Sequence, residues 1–172
     1  TRLVDLFELA QAAHPEWFAA RPTSEAADAT PSLILLAEDS GFFRKQIEEL
    51  MRAEGYEVVA CEDGVSAWNA LQEPERRFDL VITDIEMPNM NGYELTTHIK
   101  RDPQFAHLPV IAVTSLAGEE DVQRGIESGV DEYHVKLDKE GLRTAVARQI
   151  RAARERAGLR TEHPRTSTGR TR

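Results

Sequence analysis

A single cysteine, Cys61, stands among 172 residues, so the chain can form no internal disulfide. That excludes the disulfide-stapled secreted scaffolds and fits a reducing, cytoplasmic setting. Cys61 lies in a strand-like run and reads as a packing residue. No stretch approaches the roughly 18 apolar residues that a membrane span requires, and no leader pattern opens the chain. Membrane insertion is therefore not expected. Positive charge is also in short supply. Lys and Arg number 21 against 30 Asp and Glu, a net charge of −9, which argues against broad binding to nucleic acid.

What is present is enough for one ordinary domain with extensions: 41% of residues are hydrophobic and 30% charged. The charge is uneven. From Arg143 to the end there are nine arginines against two glutamates, so the rest is strongly acidic. The chain starts at Thr1 without a methionine and reads as a piece of something longer. Residues 1–18 read as the tail of a preceding domain: the segment 1–13, with Leu3, Leu6, Phe7 and Leu9, is closed by His14-Pro15 and is too short to fold alone. Residues 19–31 lack bulky apolar groups and read as a linker. Residues 32–155 form the expected domain, and 156–172 a disordered basic tail.

Within the domain the pattern alternates strand and helix. Ser32 to Ala37, Tyr56 to Ala60, Phe78 to Asp84, Pro109 to Val113 and Asp131 to Val135 are strand-like runs. Between them, a helix over about 41–54 has Ser40 as N-cap and Phe43, Ile47, Leu50 and Met51 on one face. Asp63 caps a second helix that runs to Leu71. Asn91 and Glu94 make a capping box for a third, carrying Leu95 and Ile99, that ends at Asp102-Pro103. The fourth, about 119–127, has only Val122 and Ile126 as an apolar pair, with Gly125 beside them, and should be the weakest. A fifth begins near Asp138 and carries Leu142, Val146, Ile150 and Ala153. Five such alternations predict an α/β fold with a mostly parallel sheet covered on both faces.

Four of the runs end in functional groups. Glu38-Asp39 follow the first strand, Asp84 closes the third, Thr114-Ser115 follow the fourth and Lys136 the fifth. Open α/β sheets carry their ligands at this edge. Three carboxylates brought together repel unless a cation joins them, and Mg²⁺ suits a hard oxygen site with few protein ligands. A carboxylate beside such an ion stays ionised and can attack a phosphoryl group, whose oxygens a lysine and a hydroxyl would neutralise.

Those residues, with Met87-Pro88, Asn91-Gly92, Gly129 and Tyr133, resemble a response-regulator receiver domain over Leu33 to about Ala153. The resemblance implies a flavodoxin-like (βα)5 doubly wound sheet in strand order 2-1-3-4-5, here with a short N-terminal extension. It implies Asp84 as phosphoacceptor, Mg²⁺ held by Asp39, Asp84 and the Glu86 backbone carbonyl, and Glu38 acting on the ion through water. Thr114 and Lys136 would hold the phosphoryl group, and Thr114 and Tyr133 would form the switch. None of the five histidines sits in a phosphotransfer motif, so the donor phosphohistidine belongs to a kinase domain, in cis or in trans.

A narrower resemblance is to the C-terminal receiver of chemotaxis-type, CheA-like hybrid histidine kinases. It rests on Thr83 to Pro88, Val113 to Glu120 and Val135 to Asp138. In such kinases a CheW-like adaptor domain precedes the receiver, and Leu3 to Phe7 resemble its tail. The expected output is regulation of the attached kinase, with adaptor or kinase regulatory domains as possible partners. The alternatives are a phosphate sink or a stand-alone adaptor-receiver. An Asp-nucleophile phosphatase is disfavoured because Glu38-Asp39-Ser40 is not Asp-x-Asp, and a degenerate binding module because the acid set is intact. One departure stands out. Receivers usually carry a cis proline after the lysine, whereas here Leu137 follows Lys136, and a trans bond is expected because cis before a non-proline residue costs about 2.5–4 kcal/mol.

Overall fold

In the computed structural model the described residues are 31–115 and 119–161, apart from the side chains of 119–122 and 159–161. The expected adaptor tail at 1–18 and nearly all of the linker lie outside them. The elements alternate: β1 (Leu33–Ala37), α1 (Gly41–Ala53), β2 (Glu57–Cys61), α2 (Gly64–Leu71), β3 (Leu80–Asp84), α3 (Gly92–Arg101), β4 (Val110–Thr114), α4 (Glu119–Ser128), β5 (Glu132–Val135) and α5 (Lys139–Thr161). All four strand pairings are parallel, in the order β2-β1-β3-β4-β5. Both the alternation and the order agree with expectation.

Burial explains why the central strands are so legible. Every residue of β3 and β4 is buried, and in β1 only Leu33 is partly exposed. A strand covered on both faces must be apolar at every position, which gives unbroken runs. One face of the sheet, with Leu35, Ala37, Val81 and Val110, packs on Ala67 and Leu71 of α2 and Leu95 and Ile99 of α3. The other, with Ile34, Leu36, Leu80, Ile82 and Val113, packs on Ile47 and Met51 of α1 and Leu142, Val146 and Ile150 of α5. Burying one such side chain contributes about 1.5–3 kcal/mol.

Three local expectations need adjustment. Ser40 occupies the N-cap of α1, but its side chain makes no capping bond; its amide is engaged by the Glu38 carboxylate instead. Ile126 does not form an apolar face for α4: it is 65% exposed, and the buried position is its neighbour Gly125. Helix α5 runs to Thr161, past the expected boundary at residue 155. Its last turns are rich in Ala and Arg, residues that favour helix without needing a core. By contrast, Asp63 caps α2 through the Ser66 amide at 2.7 Å, and Asn91 and Glu94 close the full capping box of α3.

Parallel pairing sends all five strand ends to one edge, and register does the rest. Ala37 pairs with Thr83, so the following residues, Glu38 and Asp84, emerge side by side. Asp84 pairs with Val113 and Thr114 with Val135, which brings Thr114 and Lys136 to the same edge.

Candidate functional site

Carboxylate oxygens of Glu38, Asp39 and Asp84 all lie within 4.8 Å of one another. Glu38 and Asp84 are buried, whereas Asp39 is exposed at the rim. Lys136 answers this concentration of negative charge. Its ammonium donates to Glu38 Oε1 at 2.9 Å and to Asp84 Oδ2 at 2.8 Å, with all three side chains almost free of solvent. The Phe43 ring of α1 lies beneath the ammonium, 4.9 Å from centroid to nitrogen, and supplies a weak cation–π contact.

One cation does not fully offset two buried acids. Burial is the main influence on Glu38 and pushes its carboxyl up to about 7, even though Lys136 opposes the shift; the nearby Asp84 charge reinforces it. For Lys136 burial acts to lower the pKa, but the hydrogen bonds to Asp84 and Glu38 win and raise it, so the ammonium stays charged. Glu38 Oε2 is buried and has no hydrogen-bond partner among the described residues. A residue with an orphaned carboxylate oxygen, clustered with two further carboxylates, belongs to a donor set for a hard divalent cation. The residues present therefore fit Mg²⁺.

The loop after β3 is pinned close to Asp84. The Glu86 amide donates to Asp84 Oδ1 at 3.3 Å. Gly92 begins α3 hard against the strand end, where a Cβ would overlap the Asp84 carbonyl. Only glycine allows that approach. Asn89, with φ of 65°, donates to the Asp63 carboxylate at 2.6 Å and so ties this loop to the start of α2. Hydrogen bonds from Ser66 and from Asn89 hold the Asp63 carboxyl below the usual range.

Thr114 is buried at the end of β4, and its carbonyl accepts from the Lys136 amide at 2.8 Å. Tyr133 is half-buried in β5, two residues before the strand ends, with its ring beside Gly125 of α4. The Lys136–Leu137 peptide is trans, and Leu137 is 76% exposed. The lysine reaches both acids without the usual proline.

Two contributors escaped the sequence reading. Arg44, one turn into α1, donates to the Glu38 and Asp39 carbonyls at 2.7 and 3.0 Å and fixes the acid pair's backbone. Phe43 was recognised as apolar but not as the floor under Lys136. The spacing signal was there: both lie in the first turn of α1, which follows the acid pair.

Residues 34–147 match the response regulator receiver domain family. A gliding motility regulatory protein of Myxococcus xanthus is 38% identical over 117 residues, which is 68% of this chain and 15% of that protein. The sensor histidine kinase CheAY of Helicobacter pylori is 33% identical over 120 residues, 69% of this chain and again 15% of the relative. This chain thus spans only a small part of either. Among solved structures, the receiver domain of a Pseudomonas aeruginosa sensor histidine kinase superposes with a TM-score of 0.64 at 28% identity. The match covers 70% of this chain and 98% of that one, which holds a magnesium ion in its active-site cleft.

Proposed function

The chain belongs to the response regulator receiver domain family of two-component signalling, and on that premise we propose that Asp84 is its phosphoacceptor. The observation that carries this is the placement of Asp84: 2% exposed, held by Lys136 at 2.8 Å, and within 4.8 Å of Glu38 and Asp39. Asp39, Asp84 and the Glu86 carbonyl would ligate Mg²⁺, with Glu38 acting through water. When bound, Mg²⁺ neutralises the clustered carboxylates and draws charge from the phosphoryl oxygens.

The residues of the chain do the rest. An Asp84 carboxylate oxygen attacks the phosphorus of a phosphohistidine; the new O–P bond forms as the P–N bond breaks, and the imidazole leaves and takes up a proton. Lys136 stays charged and hydrogen-bonds the transferred group, so negative charge does not accumulate uncompensated. Thr114 donates to a further phosphoryl oxygen. Thr114 and Tyr133 then settle into a second arrangement, which changes the surface around α4 and β5 and the affinity for whatever docks there.

The output we favour is regulation of an attached chemotaxis-type kinase, supported by the likeness to CheAY. A phosphate sink is the second reading, since a receiver that drains a kinase needs only the acceptor chemistry at Asp84. Autophosphorylation of the parent kinase with the receiver intact, deleted or carrying Asp84→Asn separates the two: equal rates in all three mean a sink. The acceptor itself is tested by incubation with acetyl phosphate, with and without Mg²⁺, followed by intact-mass measurement. One added phosphoryl, about 80 Da, is expected only with Mg²⁺. No gain under either condition contradicts the assignment.

A further inference from the structure

The hydroxyls of Tyr93 and Tyr133, 40 positions apart in sequence, lie 3.3 Å from each other. Tyr93 is the second residue of α3, directly after the Gly92 that abuts the Asp84 carbonyl. Tyr133 stands opposite Ala112 in the β4–β5 ladder, so it shares a sheet face with Thr114, two positions further along β4. Its ring lies over Gly125 of α4, where a Cβ would sit 3.2 and 3.3 Å from two ring carbons. The hydroxyl pair therefore connects the helix whose first residue abuts the Asp84 carbonyl, the strand beside Thr114 and the face of α4. It also accounts for the glycine inside α4: a larger residue would press on the ring.

We propose that Tyr93 is a latch on Tyr133. Its hydroxyl holds the Tyr133 ring in the resting position over Gly125, and this bond is broken when Asp84 carries a phosphoryl group. The inference rests on the phosphoacceptor reading above. Thr114, drawn toward a phosphoryl oxygen, leaves room on the face it shares with Tyr133, and a ring turning into that room carries its hydroxyl away from Tyr93. A bond made in one state and not the other opposes the transition by its own worth. Tyr93 thus sets how readily the site accepts the phosphorylated arrangement without touching the phosphoryl group. It is a positioning residue.

The test uses beryllofluoride with Mg²⁺ as the phosphoryl stand-in, titrated against the full chain. Tyr93→Phe keeps the ring and removes the bond. It should bind the anion about fivefold tighter, the scale of one neutral hydrogen bond. Tyr133→Phe should do the same, and the double variant no more than either single one. The melting temperature of Tyr93→Phe should fall without the anion and match wild type with it. A bond serving stability alone would lower both and leave affinity unchanged; that result overturns the latch, as does a Tyr93→Phe effect that persists in the Tyr133→Phe background. A wild-type chain that binds no beryllofluoride and takes up no phosphoryl overturns the phosphoacceptor reading, and the latch with it.

Discussion

The Lys136 ammonium reaches Asp84 Oδ2 at 2.8 Å across 52 positions of sequence, and the pair is shielded from solvent. A buried pair of this kind is costly to break, because the partner left behind keeps its charge without compensation. Here Lys136 also holds Glu38, so its loss would leave two buried acids facing each other. Lys136→Met should therefore slow phosphoryl uptake from acetyl phosphate by about 10²-fold, the usual effect of losing one charge-stabilising donor. Mass measurement over time checks the rate. Uptake within threefold of wild type, roughly 0.7 kcal/mol of barrier, would show that the lysine has no part in the transfer.

Glu38 gives a pH dependence whose sign follows from its environment. Burial raises its carboxyl from 4.5 in the unfolded chain to about 7 in the folded one. The folded state therefore holds the proton more tightly, and this contribution to stability is full below pH 4.5 and lost as pH rises through 7. In chelator, urea midpoints for wild type should fall over that window more steeply than those of Glu38→Gln, which cannot ionise. Saturating Mg²⁺ should remove the difference in slope, because the ion takes the proton's place. Parallel midpoint curves for the two proteins in chelator would refute the assignment of the slope to Glu38.

Helix α4 should be the least protected element of the domain in amide exchange. Its one described large apolar side chain, Ile126, is 65% exposed, and Gly125 beside it weakens the helix by about 1 kcal/mol relative to alanine. Substitutions should follow the same contrast. Ile126→Ser should change stability by less than about 0.5 kcal/mol, whereas Leu95→Ala, fully buried in α3, should cost about 2–5 kcal/mol. Denaturant midpoints and exchange rates check both. Protection in α4 equal to that in α1 would contradict the expectation.

These residues also mark what was legible in the sequence. β1, β3 and β4 were plain because burial on both faces leaves unbroken apolar runs, each closed by Glu38-Asp39, Asp84 or Thr114. The caps at Asp63 and Asn91 were legible because capping is local. β2 was expected to begin at Tyr56 but begins at Glu57: as a half-exposed edge strand it lacks a sharp apolar boundary. Ile126 misled because a helical apolar pair says nothing of what faces it, and the true contact is glycine against the Tyr133 ring. Arg44 and the Tyr93–Tyr133 pair stayed hidden, since one acts on backbone carbonyls and the other joins elements distant in sequence. The strand order came from the family resemblance rather than from periodicity, which is blind to which strands are neighbours.

Locating the phosphoryl group tests the central claim most directly. Wild type and Asp84→Asn are treated with acetyl phosphate and Mg²⁺, weighed intact, and digested to find the modified peptide. The account predicts a single addition of about 80 Da on the peptide containing Asp84, and none in the variant. Single-site labelling that persists in Asp84→Asn, or that maps to a peptide without Asp84, would contradict it.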